Sequence, residues 1–209
     1  MPLQNRVDPW GQFHAVTAHG ALMGNRGILH DQQQQIVAPW RGKAWITCKL
    51  HVEGIRRTVF GAGTYSELFF MDEATAFAAG HRPCAQCRRD RFKEFKAAWI
   101  SANRNSLLTP KPTIAEIDNV IHAERAAKGG VKITYEALIK YLPDGTLVDV
   151  GGVALLVWHG ELLRWTFDGY RPEVPTLPLS TSVRVLTPAS VVQVFESGFI
   201  PEVHASVNA

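Results

Sequence analysis

The chain reads as an α+β protein, with a small β-sheet/helix module followed by a β-rich domain, barrel-like or a curled sheet, with flanking helices. Three observations predict this. Alternating, β-branched segments occupy the region before residue 60. Helical spacing bounded by capping residues governs residues 72 to 127. Beyond Gly130, short strands and Gly-bearing turns return, with one more helix near the end.

Taken in order, residues 1–27 are rich in Gly, Asn and Arg and show no clear period. Ile28–Asp31 leads through a Gln32–Gln35 turn into Ile36–Trp40, and Arg41-Gly42 leads into Ala44–Val52, which alternates like a half-buried strand. A turn at Glu53-Gly54 enters a further strand, Arg56–Phe60. Asp72-Glu73 opens a short helix through Ala79 with Gly80 as its stop. A second helix runs from about Cys84 or Gln86 to Ala102 and turns Phe92, Phe95 and Trp99 to the core. Leu107–Pro112 is the expected linker, dividing the chain into 1–110 and 111–209. Thr113 and Glu116 form a capping box for a helix to about Ala127, which stops at Gly129-Gly130. Then come a strand at Val131–Tyr135, a turn at Pro143-Asp144-Gly145, and a hairpin of Val153–Trp158 and Glu161–Trp165 closed at His159-Gly160. Ser182–Leu186 is a last strand, and Thr187-Pro188 starts a helix ending near Gly198. Trp158 and Trp165 in the hairpin are expected as packing residues.

Composition narrows the function classes. With 209 residues, 46% hydrophobic and 20% charged, the chain is neither a disordered tail nor a collagen-like fibre. No apolar run approaches the roughly 18 residues of a membrane span, so no membrane partner is expected. The first residues lack the features of a secretory signal, and three cysteines are too few for a disulfide scaffold. Reduced thiols in a cytoplasmic protein are expected. Residues 1–110 hold 14 Lys/Arg against 8 Asp/Glu, a balance of +6, whereas residues 111–209 balance at −3. The basic half suits a polyanionic partner.

The most informative stretch is Gly80-His81-Arg82-Pro83-Cys84-Ala85-Gln86-Cys87-Arg88-Arg89. Two thiolates in a C-x2-C turn can grip one tetrahedral ion, and the following helix N-terminus favours their charge. A redox pair uses the same spacing, but this motif does not follow a strand of a βαβ unit.

From Tyr65 to Arg89 the sequence resembles the second half of the Ada-type metal-binding domain, the zinc module of the bacterial DNA methylation-repair regulator. The resemblance rests on Phe69-Phe70, then Asp72 capping an alanine-rich helix, the Gly80 stop, Arg82-Pro83 and the pair Cys84 and Cys87. It implies bound Zn2+ and a DNA-contacting role. It also implies that His81 fills an aromatic packing slot rather than ligating. The family's first half carries two further cysteines, one of which accepts a methyl group from a DNA phosphotriester. This chain has only Cys48 upstream, 36 residues before Cys84. With half the pattern missing, a structural zinc is expected, so that 1–110 becomes a zinc-stabilised module with Cys48 as third thiolate. The competing reading makes Cys48 a small buried hydrophobe. The fourth ligand is then a histidine, a carboxylate or water. His30, on the neighbouring strand, is the assigned candidate, since His51 would point away from Cys48 unless a bulge turns it.

Basic residues surround this turn. Arg82, Arg88, Arg89, Arg91 and Lys93 are the expected phosphate contacts, as exposed side chains, with Lys96, Lys49, Arg56 and Arg57 nearby. The competing reading is a solvated helix face balanced by Asp90 and Glu94. On the capped helix, Asp118, His122 and Arg125 fall at i, i+4 and i+7 as the candidate catalytic stripe, with the Asn25-Arg26 loop as a possible complement. An exposed ion pair explains the same spacing. The sequence therefore points to a zinc-containing nucleic-acid-binding protein, with DNA as the expected partner, connected with DNA repair or processing. The alternatives are a nucleic-acid hydrolase, a nuclease or base-processing enzyme using the Asp118/His122 stripe, and an interaction module with purely structural zinc. Whether the chain is an enzyme stays open at this level.

Overall fold

The computed structural model describes residues 1–52, 54, 58–107, 109–172 and 177–208. Two sheets and four helices make an α+β protein. The first sheet comprises β1 (Arg6–Val7), β2 (Phe13–His14), β3 (Leu22–Asn25), β4 (Ile46–Lys49), β5 (Leu68–Phe70) and β6 (Arg82–Pro83), in the order β2-β1-β5-β3-β4-β6. Its β1–β5 and β4–β6 pairings are parallel and the others antiparallel. The second sheet is antiparallel throughout, from β7 (Tyr135–Leu138), β8 (Leu147–Val150), β9 (Val153–Trp158), β10 (Glu161–Thr166), β11 (Gly169–Pro172) and β12 (Ser182–Val185). Its order β11-β10-β9-β8-β12-β7 leaves both edges unjoined, so it is an open sheet and no closed barrel.

Helix α1 (Glu73–Ala78) explains its own composition. All six residues are buried. Ala76, with Ala79 just beyond, packs on Val7, Leu68 and Phe70 of the first sheet. Ala74 and Ala78 pack on Leu147, Leu156 and Trp165 of the second. Phe77 enters the third cluster, among α2 (Arg89–Ala102), α3 (Ile114–Arg125) and α4 (Ala189–Glu196). A helix enclosed on every side is mostly apolar, its buried Glu73 and Thr75 being hydrogen-bonded, and its small alanines let two sheets approach it. The expected division at residue 110 thus separates the residues of the two sheets, while the buried clusters run across it. The helix is capped by Asp72, whose Oδ1 accepts from Thr75 N at 2.8 Å, and ended by Gly80 at φ +85°.

Several boundaries differ from expectation. Residues 28–40 form only the single bridge His30–Ile36, and the strand expected over Ala44–Val52 is confined to β4. Of the strand expected at 56–60 and its entry turn, Glu53, Arg56 and Arg57 lie outside the described residues. The strand after Gly130 begins at Tyr135, because residues 131–133 hydrogen-bond back to the end of α3 through Ala127 N to Val131 O and Ile133 N to Arg125 O. At α4 the N-cap is Pro188, one residue later than expected, since the Thr187 hydroxyl accepts from Leu147 N instead. The α3 capping box and the hairpin turn at His159-Gly160, both at positive φ, form where expected.

Candidate metal centre

Backbone pairing assembles the cysteines. Parallel pairing of β4 and β6 sets Thr47 beside Pro83, and Cys84 N donates to Thr47 O at 2.9 Å. Cys84 is thereby held next to Cys48. The chain then turns into α2, with Arg88 N donating to Cys84 O, and the turn carries Cys87 back to the pair. The three Sγ atoms lie within 4.8 Å of one another, so this group can hold a metal ion. Cys48 and Cys84 are buried and Cys87 is half-buried.

The thiols are electrostatically unequal. The Cys48 thiol lowers the Cys84 pKa by hydrogen bonding, aided by the Cys87 and Gln86 amides. The same contact, with burial, raises the Cys48 thiol. Gln86 N donates to Cys84 Sγ at 3.4 Å, as expected of an amide supporting a thiolate ligand. Sulfur donors from two separate stretches of the chain, with the Cys84 pKa lowered by its neighbours, fit a thiophilic cation.

His30 does not join them. Its Nδ1 lies 2.6 Å from Ser66 Oγ, its Nε2 lies 3.3 Å from Gly61 O, and its ring stacks on Phe60. Its role is to brace the 60–66 loop. Exposed His51 is likewise outside the cluster, and no fourth His, Cys, Asp or Glu among the described residues completes it.

The expected exposed phosphate contacts also divide. Arg82 is buried, gripping both carboxylate oxygens of Asp118 at 2.7 Å. Arg88 is buried between Glu73 Oε1 at 2.8 Å, Thr47 Oγ1 at 3.0 Å and Glu202 Oε2 at 3.0 Å. Arg91 binds Glu73 and Glu94, donates to Ile200 O, and lies over the Phe199 ring. Arg88 and Arg91 lock the cysteine turn to α1 and to residues 200–202, because a buried Glu73 requires cationic partners, while Arg82 ties β6 to α3. Arg89 and Lys93 are exposed, as is Lys49. A groove of about 540 Å³ beside the cluster is walled by Cys87, Lys49 and Arg89, with Asp90 and Glu202 among its acidic members.

The Asp118/His122/Arg125 stripe is not the expected relay. Asp118 is committed to Arg82, so it does not orient His122. His122 instead places Nδ1 3.1 Å from Arg125 Nη2 and meets Trp40 and Trp45 edge-on. Burial, then Arg125 and Lys43, lower its pKa to about 4. His81 packs against Trp45 and Phe70, in the aromatic role expected of it. Trp165 is a packing residue that donates to Thr75 Oγ1.

Neither protein-family models, nor curated proteins, nor solved structures give any match to this chain. No helix among the described residues is long and apolar enough to cross a membrane.

Proposed function

We propose that the chain is a zinc-containing nucleic-acid-binding protein connected with DNA repair or processing. The observation that carries this reading is the convergence of Cys48, Cys84 and Cys87, the last of which lines a groove bearing exposed Lys49 and Arg89. Zinc is the ion because thiolates in this number suit it and it demands no redox role. Its binding energy would hold β4, β6 and the start of α2 together. Phosphates are met by Lys49, Arg89 and Lys93, the cations that the internal pairings leave exposed. The +6 balance of residues 1–110 and the likeness of 65–89 to a DNA-contacting zinc module support the choice of partner. The hydrolase alternative has lost its orienting carboxylate to Arg82.

The test joins metal analysis to DNA titration across a salt series. About one zinc per chain is expected, and the affinity for random duplex should fall steeply with salt. Changing Arg89 and Lys93 together to Ala should flatten the logarithmic salt slope by about one unit per lost contact, with zinc content unchanged. Metal-free protein with the parent's melting curve overturns the zinc assignment. Absence of binding to DNA and RNA at low salt overturns the nucleic-acid assignment and leaves an interaction module.

A further inference from the structure

A second site shares no residue with the groove at Cys87. A cavity of about 290 Å³ opens among residues 10–13, residues 36–40 and the end of α3. Its walls include the rings of Trp10, Phe13, Trp40 and Trp45, and the side chains of Arg26 and Arg125 also line it.

The two arginines are 99 residues apart in the sequence and converge on one ring. Their guanidinium carbons lie 4.0 Å (Arg26) and 3.9 Å (Arg125) from the Trp45 ring centre. Both are buried, Arg26 at 3% exposure and Arg125 at 1%. Arg26 donates Nε to His81 Nε2 and Nη1 to Gly11 O, and its Nη2 has no partner. Arg125 donates to Gly80 O and Lys43 O, with His122 Nδ1 also at its Nη2, and its Nε has no partner among the described residues. Neither forms an ion pair among the described residues. The carboxylates whose fields reach them are engaged elsewhere, with Asp8 against His14 and Asp118 on Arg82. Lys132, bonded to Ala78 O, is a third basic side chain in the same region, its pKa lowered to about 7 by burial first and then by Arg26 and Arg125.

Buried charges in folded proteins are paired, and an uncompensated one is strongly destabilising. Two neighbouring guanidiniums, each with an idle donor, at an aromatic-walled cavity imply a counter-ion from outside the chain. We propose that this cavity binds a small anion that carries an aromatic ring, whose phosphate or carboxylate group seats on Arg26 and Arg125 while its ring lies against Trp40. The cavity volume is at the lower end of ligand sites, roughly 300–1,000 Å³, and so admits one ring system with its charged group. One idle nitrogen on each guanidinium, Arg26 Nη2 and Arg125 Nε, can donate a charge-assisted hydrogen bond to either oxyanion. Because backbone carbonyls and Trp45 already fix both guanidiniums, little side-chain freedom is lost on binding.

The test uses the full chain, with adenosine 5′-monophosphate as the phosphate-bearing probe and benzoate as the carboxylate-bearing one, read by tryptophan fluorescence and thermal shift. At least one of them should bind with a Kd below about 1 mM, and which one binds identifies the anionic group. Adenosine, and inorganic phosphate without a ring, should each bind about tenfold more weakly than a bound probe. Arg26→Lys keeps the charge but loses the idle Nη2 donor, and should weaken binding by about tenfold. Trp40→Leu, at the half-buried rim, is the second variant and should weaken it without disturbing the arginines. The inference is overturned if neither probe binds, if adenosine binds as tightly as the phosphate ester, or if both variants bind as the parent does. None of these readouts depends on the cysteines or on DNA.

Discussion

Replacing Asp118 by Asn would remove one charge from a pair that has no water to replace it. Arg82 Nε and Nη2 each reach a different carboxylate oxygen at 2.7 Å, and both side chains are only 6% exposed. An amide presents an N–H₂ group to one guanidinium N–H, so the variant loses the charge and one hydrogen bond while Arg82 stays buried. Breaking a buried pair from one side costs about 3–5 kcal/mol. In a chain of 209 residues this corresponds to a fall in Tm of roughly 6–20 °C, taking about 2–4 °C per kcal/mol. Urea unfolding and calorimetry on Asp118→Asn and on the double variant Arg82→Met/Asp118→Leu check it. The double variant should be more stable than Asp118→Asn, because an apolar pair leaves no orphaned charge. An unchanged Tm for Asp118→Asn would refute the claim that this carboxylate is a structural partner and would return it to the catalytic stripe.

Other outcomes follow from the same geometry. Cys84→Ser or Cys87→Ser should abolish stoichiometric metal and lower the melting temperature, whereas His30→Ala should keep full metal content, as elemental analysis will show. Gly80→Ala places a Cβ 2.2 Å from Arg125 Cδ at φ +85°, so a loss of about 2–4 kcal/mol in urea unfolding is expected from strain and overpacking together. His81 gives the pH dependence. Burial first, then Arg26 and Arg125, hold its pKa well below the ordinary value, so below about pH 6.5 the unfolded chain binds the extra proton. Stability present above that pH is therefore lost as pH falls, by up to about 1.4 kcal/mol per unit for this residue. His122 adds the same sign down to its folded value of about 4. His81→Phe should flatten the acid limb of the Tm–pH curve, and an unchanged limb would contradict a buried neutral His81.

What the sequence made legible was local. Asp72 and Thr113 announce their helices because a cap needs only partners three residues away, and Gly80 and His159-Gly160 mark φ values that few residues adopt. The cysteine pair was readable for the same reason, and Cys48 by counting the thiolates a metal needs. The first sheet was not, because β1, β2 and β6 have two residues each, too few to display an alternation. Long-range partners were equally hidden. Ser66 claims His30 from 36 residues away, Glu202 reaches Arg88 across 114, and Asp118 faces Arg82 rather than the histidine on its own helix. A run of arginines shows its charge in the sequence but not whether a carboxylate has already taken it. The meeting of Arg26 with Arg125 had only a faint signal, the placing of the Asn25-Arg26 loop beside the stripe.

The position of α1 bears on the order in which the chain can be completed. Glu73 is sealed by Arg88, Arg91 and the Glu202 amide, and Asp72 by the Tyr170 hydroxyl and the His204 amide. In vectorial synthesis, residues 202 and 204 emerge more than 100 residues after the helix they close. Until then the cysteine turn has lost two of the contacts that anchor it, and both sheets lack the seal on their shared neighbour. The contacts that close α1 and fasten the cysteine turn are therefore completed only after residues 200–204 are made, so the closure of this helix is a late event of synthesis.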